Sequence, residues 1–106
     1  MLASEDRKIA VELKRRLVES LPVLEVYVFG SRARGDAQAG SDLDVFITIA
    51  QCSPTQRRKI DEIAWEVGFE MDRVITTIVA TPDQIQEGAF GASPLILNIE
   101  REGVPV

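Results

Sequence analysis

The sequence predicts a small α/β fold, a mixed β-sheet covered on one side by helices in the order α-β-β-α-β-α-α. Three observations carry that reading. Two β-rich apolar runs, 23–29 and 42–49, are separated by a short polar loop, which suits an antiparallel hairpin. Helical periodicity brackets them at 4–20 and 54–67. Three cap-like steps, Ser53-Pro54, Thr81-Pro82 and Ser93-Pro94, punctuate the second half of the chain around a third β-rich run at 74–80.

The elements follow in order. Ser4-Glu5-Asp6 opens the first helix with acids in its first turn, where the helix dipole favours them, and Lys14-Arg15-Arg16 lie toward its end. Ile9, Leu13 and Leu17 recur every fourth residue and form the stripe that packs on the sheet. Pro22 ends the pattern, and Val23–Phe29 is the first strand, delivering the turn at Gly30-Ser31. The polar loop 36–40 leads to the strand 42–49. Ser53-Pro54-Thr55-Gln56 combines an N-cap serine, proline at the first helical position and a capping-box glutamine, so the second helix spans about 54–67 and ends at Gly68. Ile60, Ile63, Ala64 and Val67 supply its inner face. Val74–Ala80 is the third strand. Thr81-Pro82-Asp83-Gln84 opens a short third helix, Ser93-Pro94 opens a fourth that ends before Gly103, and Gly88 and Gly91 around Phe90 mark a mobile connection between them.

Composition bounds the function. At 106 residues the chain reads as one domain, 1–106, with 45% hydrophobic and 27% charged residues, ordinary values for a globular protein. A formal net charge of −5 argues against unassisted binding of long nucleic acid, which needs a basic footprint. Cys52 is the one cysteine and histidine is absent, which excludes an internal disulfide, a Cys/His zinc site and a histidine-based triad. With neither a signal peptide nor an apolar run of membrane-spanning length, the expected location is cytoplasmic.

The chemistry concentrates in Phe29-Gly30-Ser31-Arg32-Ala33-Arg34-Gly35 and Ser41-Asp42-Leu43-Asp44-Val45. Side chains at i and i+2 of a strand share a face, with Cα atoms roughly 6–7 Å apart, so Asp42 and Asp44 can converge on one divalent ion or ion pair. Two acids at the head of a buried strand are costly unless a cation sits beside them. Glycine at position 30 permits close backbone approach to phosphate oxygens, and the Ser31 hydroxyl adds a donor. Arg32 or Arg34 is placed to neutralise further charge on a transferring phosphoryl group. A turn, two carboxylates and an arginine together suit phosphoryl transfer from a nucleoside triphosphate with Mg²⁺ or Mn²⁺. Trp65 reads as a core or partner contact rather than a base-stacking platform, and Arg57-Arg58-Lys59 as a solvated face.

These two motifs resemble the signature of the DNA polymerase beta-type nucleotidyltransferase superfamily, and more narrowly its minimal members, which are often paired with a HEPN-domain protein. The resemblance runs from the first helix to Arg101-Glu102-Gly103-Val104. It implies a nucleotidyltransferase-like fold, Gly30 and Ser31 as the triphosphate-binding pair, and Asp42 and Asp44 as catalytic metal ligands. It further implies transfer of a nucleoside monophosphate to a hydroxyl on a HEPN-type partner, with this chain as the antitoxin-like half. The family pattern expects a third carboxylate on a later strand. In this sequence that position falls on Thr76, or on Thr77 if the register shifts by one, and the nearest acids are Glu70 and Asp72. The alternative is a catalytically impaired module that neutralises its partner by contact.

Overall fold

The computed structural model describes residues 2–38, 40–87 and 93–106. The elements are α1 (Ser4–Ser20), β1 (Val23–Phe29), α2 (Gly30–Arg34), β2 (Leu43–Ile49), α3 (Pro54–Glu70), β3 (Ile75–Ala80), α4 (Pro82–Glu87), α5 (Pro94–Glu102) and β4 (Val104–Pro105). The Gly88–Gly91 connection and Ala39 of the polar loop lie outside the described residues. The sheet order is β3-β2-β1-β4. β1 pairs antiparallel with β2 as the expected hairpin, with Phe29 opposite Asp44, and β2 pairs parallel with β3 across the α3 connection, with Asp44 beside Thr76. Parallel neighbours require such a crossover, which is why the longest capped helix after β2 falls there.

The principal core lies on one face of the sheet. Leu43, Val45, Ile47 and Ile49 alternate along β2 and meet Val26 and Val28 of β1, Ile9, Leu13 and Leu17 of α1, and Ile60, Ile63 and Val67 of α3. All are buried, and their spacings of two on strands and three to four on helices are the periodicities read from the sequence. Helical cover on one side is the prediction, and α1 and α3 supply that layer. The opposite face carries in addition a smaller cluster, where Phe46 and Ala80 meet Ile96 and Ile99 of α5 and the partly buried Ile85 of α4. The reason is that β2 is buried along almost its whole length, so its even-numbered residues also need cover.

Caps form as expected. The Ser53 hydroxyl accepts from Gln56 N at 3.2 Å while Gln56 Oε1 accepts from Ser53 N at 2.8 Å. Thr81 and Gln84 repeat the exchange at 3.3 and 2.9 Å, and Ser93 accepts from Ile96 N at 3.2 Å. One boundary differs. α3 does not stop at Gly68 but runs on to Glu70, and Asp72 (φ 54) supplies the left-handed residue of the exit. Gly68 serves a different purpose, because a Cβ there would collide with the Arg73 carbonyl oxygen where the chain turns back toward β3. The structure also adds two short elements to the predicted order: the 30–34 turn is a helical turn, and Val104-Pro105 pairs with β1 as an edge strand.

Candidate active site

β1 carries the chain to Phe29 in extended conformation, and Gly30 then takes a positive φ of 74° to enter α2. Glycine is required there twice over. The left-handed backbone disfavours a side chain, and a Cβ would lie 2.5 Å from Asp44 Oδ2. α2 closes at Gly35 (φ 85), with Gly35 N and Asp36 N both donating to the Ser31 carbonyl at 3.0 and 3.1 Å. Because Phe29 faces Asp44 across the hairpin, the turn at Gly30-Ser31 and the acid at the head of β2 arrive at the same end of the sheet.

Asp42 is exposed and Asp44 is half-buried. Burial, and secondarily the charge of Asp42, push the Asp44 carboxyl above its ordinary value, while the Arg34 guanidinium acts in the opposite direction. Thr76 completes the group. It pairs with Asp44 on the neighbouring strand, and its hydroxyl donates to Asp42 Oδ2 at 3.2 Å. Thr77 belongs to the other face, where Arg57 donates to its hydroxyl at 3.2 Å. Of the two registers left open by the sequence, Thr76 is therefore the residue beside the aspartates.

The two arginines of the turn differ in their engagements. Arg34 is exposed and bonds Asp36 at 3.3 Å and Glu102 at 3.4 Å, with its charge reaching Asp44. Arg32 turns inward: its guanidinium donates to the carbonyl of Ser41 at 2.8 Å and of Gln38 at 3.2 Å, and lies 3.5 Å from Asp6. Glu70 pairs with Arg16 of α1 at 2.6 Å, and Asp72 occupies the left-handed turn before β3. Among the described residues, no group of three or more Asp, Glu, Cys or His side chains is arranged to hold a metal ion. Trp65 is not a core residue. It is 68% exposed on the outer side of α3 and stacks on Phe69 with ring centroids 5.3 Å apart.

The family model for the nucleotidyltransferase domain matches residues 8–103, which includes both motifs and the strands that position them. The chain belongs to the nucleotidyltransferase domain family. No curated protein sequence matches it. Solved structures do: a toxin-antitoxin complex with AMP-PNP is similar at 17% identity and a TM-score of 0.64, with 97% of this chain and 72% of that one covered. A candidate nucleotidyltransferase from Sulfolobus solfataricus is 25% identical, with a TM-score of 0.57 and coverage of 96% and 81%. The MNT antitoxin complex with a tri-AMPylated HEPN toxin from Shewanella oneidensis is similar at 16% identity, TM-score 0.55, with 95% and 67% covered. The two nucleotidyltransferase motifs, separated by only a short loop, are thus brought by the hairpin to one sheet end. Asp6, which sequence reasoning assigns only to the helix dipole, is instead buried between Arg32 and Arg73. The signal available for it was an unusual one, an acid three residues before Ile9 on the inward stripe of α1.

Proposed function

We propose that this nucleotidyltransferase-family chain transfers a nucleoside monophosphate from a nucleoside triphosphate to a hydroxyl on a HEPN-type partner, in a divalent-metal-dependent reaction. The observation that carries the reading is the meeting of Gly30, Asp42, Asp44 and Thr76 at one sheet end. The likeness to an antitoxin complexed with an AMPylated HEPN toxin supports the choice of acceptor.

The residues fit a hard divalent cation. Both carboxylates are oxygen donors on one strand face, and the causes that raise the Asp44 pKa, burial and a neighbouring negative charge, are those a cation relieves. Asp42 and Asp44 would hold it. Bound there, Mg²⁺ or Mn²⁺ supplies Lewis-acid polarisation of phosphate oxygens. The bare Cα of Gly30 lets the backbone of the turn approach those oxygens, the Ser31 hydroxyl donates to them, and Arg34 offsets their charge. The acceptor oxygen bonds to the α-phosphorus, the bond from that phosphorus to the bridging oxygen breaks, and pyrophosphate leaves. The acceptor proton passes to a carboxylate or water, since the Thr76 hydroxyl is neutral and a poor base at pH 7.

Triphosphate labelled on the α-phosphate tests this directly. Wild-type chain mixed with a HEPN-type partner should label the partner, and Asp44→Asn should lower the rate by about 10²-fold or more, the scale expected when one preorganised charge-stabilising group is removed. Unlabelled partner with all components present would contradict transfer.

The second reading, a module that silences its partner by contact, is favoured by Thr76 standing where the family pattern expects a carboxylate. An Asp42→Asn/Asp44→Asn variant separates the two. Undiminished silencing of the partner would favour contact over catalysis.

A further inference from the structure

Asp6 sits in the first turn of α1, yet it is only 2% exposed. Its two oxygens are divided between separate segments of the chain. Oδ1 accepts a hydrogen bond from Arg73 Nη1, at the entry to β3, and Oδ2 lies 3.5 Å from Arg32 Nη1, on α2. Arg32 in turn holds the Ser41 carbonyl through Nη2 at 2.8 Å and Nε at 3.3 Å, immediately before Asp42. The side chains of both arginines are mostly covered, at 12% and 16% exposed. The two strand entries are also joined directly, since Leu43 N donates to Val74 O at 2.9 Å.

We infer that Asp6 is a positioning residue for the carboxylate site: through Arg32 it fixes the segment that presents Asp42, and through Arg73 the segment that presents Thr76. The inference rests on the metal-triphosphate reading of the site. Its physical basis is that an acid buried between two cations has one low-energy arrangement, because moving either arginine away strands a charge. The spacing between the heads of β2 and β3, and with it the Asp42–Thr76 hydrogen bond, is set from α1, an element that contributes nothing to the site itself. Groups that orient metal ligands typically change metal affinity by about 10–100-fold when removed.

Calorimetric titration of the whole chain with ATP, in EDTA and in excess Mg²⁺, tests the idea at a temperature where circular dichroism shows each variant folded. Wild type should gain affinity from Mg²⁺. Asp6→Asn should lose about 10–100-fold of that metal-dependent gain while keeping its affinity in EDTA, a split that general loosening of the fold would not produce. Glu12→Gln, which breaks ion pairs elsewhere on α1, should keep the full gain. A folded Asp6→Asn with the wild-type gain overturns the inference, and so does an equal loss in Glu12→Gln. If Asp6→Asn does not fold, Arg73→Met carries the same criterion, with Arg73→Lys restoring part of the gain. Absence of any gain in wild type would instead bring down the reading of the site on which the inference stands.

Discussion

Gly30 shows how one residue couples backbone and chemistry. Its positive φ and its proximity to Asp44 Oδ2 both forbid a side chain, so Gly30→Ala should destabilise the fold by about 1–3 kcal/mol and lower triphosphate affinity more than Ser31→Ala, which deletes one hydroxyl. Urea unfolding and calorimetry check the pair. Asp44 makes the opposite trade. Its carboxyl is raised by burial and by Asp42, so ionising it at neutral pH costs folding free energy, and Asp44→Asn should melt higher than wild type in EDTA. Added Mg²⁺ should then raise the wild-type melting temperature and leave that of the variant unchanged. A variant that melts lower in EDTA would remove the electrostatic cost assigned to the pair. The sequence singled these residues out by their combination, because a glycine-serine turn and alternating aspartates are each ordinary alone and seldom coincide at the head of a buried strand. It left Asp6 hidden, because an acid at a helix start has an ordinary explanation and only the packing of Arg32 and Arg73 around it reveals another.

At the scale of elements, α1 and α3 are clasped at the surface by Arg16, which bonds Glu12 of its own helix and Glu70 of α3, both at 2.6 Å. Hydrogen bonds from Arg15 and Arg16 hold the Glu12 carboxyl down to about 2, and the Arg16 bond also lowers Glu70. Folded pKa values below the unfolded ones mean stability that is present above about pH 4.5 and is lost as pH falls toward 2. Thermal melts from pH 6 to pH 2 should therefore show wild type above Glu12→Gln at pH 6, with the two converging in acid. A constant difference would place the role of Glu12 elsewhere. Most element boundaries were readable because Ser53, Thr81 and Ser93 cap with their own side chains. The exit of α3 was not. Gly68 looks like a helix stop, but its missing Cβ makes room for a returning chain, a tertiary demand with no local signature. The exposed Trp65 is similar, since its i to i+4 stacking on Phe69 forms a cluster on the outside of the helix rather than in the core.

At the scale of the molecule, the nucleotidyltransferase fold brings two motifs to one sheet end by a hairpin and sets a third strand beside them by a crossover. The order of the seven predicted elements and the hairpin followed from patterning and turn chemistry, while the short α2 and β4 did not. The second hydrophobic cluster under α5 did not, because a strand buried on both faces has no alternation to reveal its second layer. The same architecture makes Thr76 the informative position for activity. Thr76→Asp would place a third carboxylate beside Asp42 and Asp44, and with Mg²⁺ it should raise transfer by about 10²–10⁴-fold if proton removal limits the native rate. Activity lost in a folded Thr76→Asp would show that the native hydroxyl has a role of its own. The most direct measurement is calorimetry of ATP binding with Mg²⁺ and with EDTA, in wild type and in Asp42→Asn/Asp44→Asn. Metal-dependent tightening in wild type that disappears in the double variant is the predicted result. Binding that is indifferent to metal, or tightening that survives loss of both aspartates, would contradict a metal-triphosphate site at the head of β2.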